Sequence, residues 1–162
     1  MRKYPIAWVI GFLLIAGVIS CKEAVVPTPY TYTKVFTGEH SKTWKVKFFE
    51  QTLDGNVVGT FAVSCTTDDL FKFTANSEHS FKVATGSKKC NTSPAEDDVI
   101  LDTWDFVNPS ATLQMIFPLF DPANRTPFIV REAKKNGMVL EIFFDETGKE
   151  SYRIHFEVTS ED

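Results

Sequence analysis

Clustered carboxylates and three histidines are the side chains of this sequence that could carry acid–base or metal chemistry. Asp68 and Asp69 are adjacent, as an acid pair or a cation site would require, and the acidic run 96–98 could contact calcium. The alternative for both groups is a solvated turn. The histidines lack the spacing of metal ligands, so we expect them at polar-face positions: His40, His79 and His155.

Sequence motifs and charge exclude several classes of function. The chain holds no Gly-x-Ser-x-Gly elbow, no glycine-rich phosphate loop and no His-Glu-x-x-His pair. We therefore predict a protein that is not an enzyme and has no cofactor and no bound metal. The formal net charge is −4 and no basic stripe is present, so we also predict that the chain binds no nucleic acid.

The first 21 residues resemble the leader of a bacterial lipoprotein. Arg2 and Lys3 precede an apolar run at 6–19, which is shorter than the roughly 20 residues that a spanning helix needs. Ser20 and Cys21 end the segment like a lipobox, with a small residue before the cysteine. We predict cleavage before Cys21, lipidation of its thiol and anchoring to a membrane. The alternatives are an ordinary secretory signal and a transmembrane anchor.

This leader predicts three segments and a location. Residues 1–20 are the signal peptide, 21–39 a lipid-anchored tether and 40–162 one folded domain. We expect a short helix only near 36–41. The predicted location is the cell envelope of a Gram-negative bacterium, as an outer-membrane lipoprotein that faces either the periplasm or the cell surface.

Apolar and polar residues alternate with period two from Trp44 onward. The first run begins with Trp44, Val46 and Phe48, separated by lysines, and similar runs follow tight turns to the end of the chain. The pattern predicts an all-β fold of eight or nine short antiparallel strands. A meander of this length hides its edges by closing, so we predict an up-and-down β-barrel, with a β-sandwich as the alternative.

Two cysteines remain in the predicted domain. Cys65 and Cys90 bracket one hairpin, and in an exported chain they are expected to form a disulfide. The alternatives are two free thiols or half of a metal site.

The order of motifs in this domain resembles lipocalin-like domains of Bacteroidetes lipoproteins. The first such motif is Cys65 followed by acidic residues and an aromatic-x-Phe strand; the second is a glycine-containing turn before Cys90. An early Trp44 and a later strand with Trp104 complete the likeness, which covers about residues 40–158. The resemblance implies an eight-stranded calycin-type barrel and implies little about the ligand.

Two features of the sequence could bind a partner molecule. The segment 118–127 holds three prolines and is predicted to be a stiff loop, in which Leu119 and Phe120 either contact a partner or plug the end of the barrel. The second feature is an inward aromatic set, which either packs as core or lines a cup for an apolar ligand. Its members are Trp44, Phe48, Phe61, Phe71, Phe73, Phe81, Trp104, Phe106, Tyr152 and Phe156.

Two functions therefore remain open at this stage. The first is a lipid-anchored barrel that binds a small hydrophobic ligand. The second is a barrel with a filled interior that acts as a protein-interaction or structural subunit of an envelope complex. An open or a filled interior would distinguish them.

Overall fold

The computed structural model describes residues 29–92, 96–107, 112–145 and 147–162. The predicted signal peptide, Cys21 and the first part of the predicted tether lie outside these ranges. The described chain contains the helix α1 (Pro29–Thr37) and ten strands. The strands are β1 (Ser41–Leu53), β2 (Asn56–Phe61), β3 (Leu70–Thr74), β4 (Ser80–Ala84), β5 (Val99–Thr103), β6 (Asp105–Phe106), β7 (Thr112–Phe117), β8 (Asp121–Lys134), β9 (Gly137–Phe143) and β10 (Glu150–Glu161).

All ten strands belong to one antiparallel sheet, which curls into a nearly closed barrel. Nine strands are hydrogen-bonded in the order β5-β4-β3-β1-β10-β9-β8-β7-β6, and β2 pairs with β1 beside this path. The barrel stays open between β5 and β6, the two ends of this order. Arg125 on β8 donates two hydrogen bonds, of 2.8 and 2.6 Å, to Asp102 on β5 across this opening. The all-β up-and-down barrel is thus confirmed, and the architecture is compatible with a lipocalin-like fold.

Strand β1 is shared among three neighbours. It pairs with β10 from Lys42 to Leu53, while its other edge pairs first with β3 and then with β2. Two strands cannot pair with the same residues of one edge, so β2 and β3 pair with different parts of β1. The β1–β2 hairpin therefore extends beyond β3 at one end of the barrel. We call this end the hairpin end and the opposite one the helix end.

A register shift in β1 changes which of two adjacent phenylalanines faces inward. The shift lies between Val46 and Phe48, so Phe49 becomes buried and Phe48 turns outward. The Phe48 ring stacks on His155 with centroids 4.2 Å apart. The inward position predicted for Phe48 was therefore wrong, because a bulge inserts one residue and reverses the side-chain alternation.

Aromatic side chains fill the middle of the barrel. Phe71 stacks on Phe117 at 5.3 Å, and Phe73 contacts Phe81 at 4.8 Å and Trp104 at 5.7 Å. All five side chains are almost fully buried. The interior is therefore a packed core, held by area burial and by ring–ring contacts.

Helix α1 closes the helix end of the barrel. The buried Phe36 contacts Phe73 and Trp104, and its carbonyl accepts a hydrogen bond from Trp44 Nε1 at 2.9 Å. The helix lies earlier than the predicted 36–41 and occupies much of the segment assigned to the tether, because proline is well tolerated in the first turn of a helix. No helix of the described residues is long and apolar enough to cross a bilayer.

The buried Lys42 joins three elements at the helix end. Its side chain is 2% exposed, and Nζ donates to the carbonyls of Val35 at 3.1 Å and Lys135 at 3.2 Å. The same Nζ lies 3.2 Å from a carboxylate oxygen of Glu161. These contacts satisfy a buried ammonium group and connect α1, the β8–β9 turn and the last strand.

The proline-rich segment 118–127 is mostly strand. Only 118–120 form the turn between β7 and β8, and β8 begins at Asp121 and includes two of the three prolines. The predicted ten-residue loop was therefore wrong. Phe120 packs on Phe117 at 5.2 Å and on Phe128 at 6.1 Å, which agrees with the barrel-plug alternative.

The disulfide Cys65–Cys90 is formed, with a Cα–Cα distance of 5.1 Å. It connects the segments that follow β2 and β4, both at the hairpin end. Close by, the buried Asp69 accepts a hydrogen bond from Gly86 N at 2.8 Å, and Glu96 accepts from Cys90 N at 2.7 Å and Asn91 N at 3.1 Å. Each carboxylate keeps one buried oxygen without a hydrogen-bond partner in the described chain.

The position of the bulge predicts unequal effects of two neighbouring substitutions. Phe49→Ala should lower the free energy of unfolding by about 3–5 kcal/mol, since it leaves a cavity beneath the barrel wall. Phe48→Ala should lower it by about 1 kcal/mol, because only an outer stacking contact is lost. Denaturant unfolding of both variants measures the difference, and equal losses would contradict the register described above.

Burial raises the pKa of Asp69 from its ordinary 3.8 to about 6, and the nearby charge of Glu96 adds to the effect. The folded state then holds this proton more tightly than the unfolded state. Protonated Asp69 contributes its full share to the free energy of unfolding below about pH 4. This share is lost as the pH rises through about 6, and the loss is at most about 3 kcal/mol. Asp69→Asn should remove this loss, so the variant should gain stability relative to the wild type at pH 8.

The neighbouring Asp68 provides a control of opposite sign. Desolvation opposes the shift, but hydrogen bonds from the backbone of Lys88 and Ser87 and from the Ser87 hydroxyl together lower the pKa of Asp68. This group favours folding when ionised, so Asp68→Asn should lose stability at pH 8. Denaturant midpoints measured between pH 4 and pH 8 test both signs, and identical pH profiles for wild type and Asp69→Asn would refute the assignment to Asp69.

Candidate functional site

Six aromatic side chains form a closed circuit of ring contacts at the hairpin end. Four of them lie in strands and two lie in turns, and the meander brings them together at this end. We call the circuit the aromatic collar; its members, in order, are Phe49, Phe61, Tyr152, Phe144, Phe120 and Phe117.

The distances between neighbouring rings of the collar range from 5.2 to 6.4 Å. Phe49 and Phe61 stack with an angle of 13° between their planes, whereas Tyr152 meets both Phe61 and Phe144 edge to face. These arrangements are the favoured ones for aromatic pairs, so the collar is internally supported without a ligand.

A cavity of about 440 Å³ lies within the collar and opens to solvent. The volume falls in the usual range for small-molecule sites. Phe117 is fully buried below it, while Phe61 is 39% and Phe144 is 54% exposed at its rim. The lining residues are Phe49, Phe61, Val63, Leu119, Phe120, Phe144, Glu150 and Tyr152.

Glu150 is the charged residue in this lining. It is half-buried at the start of β10, and its Oε1 accepts a hydrogen bond from Gln51 Nε2 at 2.9 Å. Asp145 orders the turn before it, since Oδ1 accepts from Glu150 N at 3.0 Å and Oδ2 accepts from Lys149 N and the Thr147 hydroxyl. The turn that separates Phe144 from Glu150 is thereby held in place.

The hydrogen bond from the Thr147 hydroxyl, together with that from the Glu150 backbone, lowers the pKa of Asp145. The Asp145 carboxylate therefore stays ionised, and the turn ordered, at any pH above the acidic range. The position of Glu150 at the edge of the cavity follows from this local arrangement.

The structure distributes the ten predicted inward aromatics among four locations. Phe61 and Tyr152 line the cavity, Phe106 packs half-buried against Phe36, and Phe48 lies outside. The other six are buried in the core away from the cavity: Trp44, Phe71, Phe73, Phe81, Trp104 and Phe156. Leu119 and Phe120, predicted as partner-loop residues, line the cavity as well.

Four lining residues were not among the predicted binding residues. The bulge in β1 reverses the alternation that assigned Phe49 to the outer face, and Val63 lies two residues after the end of β2. Phe144 and Glu150 flank the β9–β10 turn. The sequence did contain a sign of this site in the adjacent pair Phe143 and Phe144. Two adjacent residues of a strand face opposite sides, so one of these two aromatic rings was bound to face inward.

The groups considered for acid–base or metal chemistry do not assemble into a metal centre. The described ranges contain no group of three or more His, Cys, Asp or Glu side chains that could hold an ion. His79 stacks on Trp104 at 4.7 Å and His155 on Phe48, at different parts of the barrel.

Comparison with known protein families and with curated proteins finds no match. No model of a known protein family matches the chain, and no curated protein is significantly similar to it.

Proposed function

We propose that this protein is a non-enzymatic envelope lipoprotein, anchored by lipid on Cys21, which binds a small hydrophobic ligand in the aromatic collar. The cavity inside the collar is the observation that carries the proposal. It combines a volume of about 440 Å³ with apolar walls and one oriented polar group, which is the usual composition of a ligand site.

The filled interior limits the ligand to the hairpin end. Phe117, a fully buried member of the collar, stacks on the buried Phe71, so a long chain cannot pass down the barrel axis. A compact molecule that spans the collar fits this shape. Helix α1 covers the opposite end, so a tether that leads from Cys21 into α1 would leave the collar facing away from the anchor.

The second candidate is a protein-interaction or structural subunit of an envelope complex. Two observations favour it: the filled barrel interior, and the exposed apolar side chains of the β1–β2 hairpin next to the collar, of which Val58 is the most exposed. In that case Phe144 and Phe61 would contact a protein instead of a small molecule.

Binding of the neutral fluorophore phenylnaphthylamine tests the proposed ligand site. We expect saturable fluorescence enhancement with the wild type, and loss of it in Val63→Trp, where the larger side chain fills the cavity. Phe144→Ala should weaken binding about fivefold to tenfold, since one aromatic contact is worth about 1 kcal/mol.

Phe143→Ala is the matched control for this measurement. Phe143 is the adjacent residue, but its ring lies outside the cavity, with the Arg131 guanidinium 6.0 Å from its centroid. Its removal should leave dye affinity unchanged. Absence of saturable binding to the wild type would favour the second candidate, and equal effects of the two phenylalanine variants would indicate binding elsewhere.

Lipid attachment predicts a separate behaviour of Cys21. In cells fed a clickable fatty acid, the wild type should carry the label and fractionate with membranes, whereas Cys21→Ser should lose both properties. Cys90→Ser should keep the label, because Cys90 pairs with Cys65 instead. Labelling that persists in Cys21→Ser would rule out this anchor.

A further inference from the structure

The collar surrounds its cavity with aromatic rings and one carboxylate, and no lining residue is basic. The face of an aromatic ring carries partial negative charge and attracts cations, most strongly where water is partly excluded. A carboxylate at the edge of such a set adds direct charge attraction. This combination matches an apolar molecule with a positive group, and it opposes a fatty acid or another apolar anion.

The turns around the hairpin end add charge of the same sign. Among the described turn residues there, the acidic side chains outnumber the basic ones, and the basic Lys89 is paired with Asp98 at 2.8 Å. The acidic residues are Asp54, Asp68, Asp69, Glu96, Asp97, Asp98 and Asp145, and the basic ones are Lys88, Lys89 and Lys149. Such an excess attracts cations toward the cavity and repels anions at low ionic strength.

Glu150 is positioned to meet the charged group of a ligand. Its Oε1 is fixed by Gln51, and the backbone of its turn is held by Asp145, so the carboxylate is oriented before a ligand arrives. Preorganisation of this kind lowers the entropy lost on binding. Tyr152, two residues further along β10, adds an aromatic side chain to the lining of the same cavity.

We propose that the collar selects apolar cations, such as aryl or alkyl ammonium compounds, with the ammonium group at Glu150 and the apolar body against Phe49, Phe61 and Phe120. The proposal rests on the proposed ligand-binding function and specifies the chemistry of the ligand. The selectivity comes from the combination of five aromatic lining residues with one carboxylate and no basic residue.

Three probes that share a phenylalkyl body and differ in charge test this selectivity. They are phenylbutyltrimethylammonium, phenylpentanol and phenylpentanoate. The full-length protein is placed in phosphatidylcholine nanodiscs, and displacement of phenylnaphthylamine is measured at low salt. Nanodiscs that carry Val63→Trp provide the background for partition into lipid.

We expect the ammonium probe to bind about tenfold more tightly than the alcohol, and the carboxylate more weakly than either. In Glu150→Gln, which keeps the side-chain shape, the advantage of the ammonium probe should fall to about threefold or less. Glu132→Gln is the control, because it removes the same charge from a residue of β8 that is ion-paired with Lys134 and does not line the cavity.

Each outcome has a distinct meaning. Equal affinity for the ammonium and alcohol probes, or tighter binding of the carboxylate, overturns the charge selectivity and leaves the apolar site intact. Failure of all three probes to displace the dye overturns the site as well. A Glu132→Gln variant that loses the advantage as fully as Glu150→Gln would assign the selectivity to the overall charge and not to Glu150. The probe series on the unmodified protein decides the main question even if a variant does not fold.

Discussion

The shared edge of β1 is the constraint on which the rest of this structure depends. The strand is hydrogen-bonded to β10 along its length, and its other edge is divided between β3 and β2. This division lets the hairpin rise above β3 and carry Phe61 to the rim. The bulge between Val46 and Phe48 then turns Phe49 inward beneath it. Without the divided edge and the bulge, the collar would lack both of its stacked phenylalanines.

Aromatic packing decides where a ligand can go. Barrels of about this size can hold either side chains or one small ligand. Here the space is taken by side chains, because Trp44, Trp104 and the phenylalanines of β3 and β4 all point to the axis and are fully or almost fully buried. The helix end is covered by Phe36. The aromatic content that stabilises the core thus fills the barrel axis, while the cavity of about 440 Å³ lies at the hairpin end.

Period-two alternation predicted the barrel and most of its core, because every strand of a closed sheet separates inward from outward side chains. This prediction failed where the bulge in β1 inserts one residue and reverses the alternation. Phe48 and Phe49 are chemically equivalent, so only the three-dimensional register chooses between them. Prolines led to two wrong predictions. Pro29 was assigned to the tether but begins a helix, and Pro122 was assigned to a loop but lies near the start of a strand. The collar itself was beyond prediction, since its members come from four strands and two turns and meet only when the barrel closes.

The shallow position of the cavity determines how a ligand could be recognised. Since the cavity is open on one side, a bound molecule keeps part of its surface in water, and apolar burial contributes less than it would in a closed barrel. Discrimination between apolar bodies is also weak, because one methylene changes the free energy of binding by about 0.8 kcal/mol. Under the proposed function, charge would separate molecules more sharply, because an anionic group would meet repulsion from Glu150. The proposed recognition at this site would therefore depend more on the polar part of the ligand than on its size.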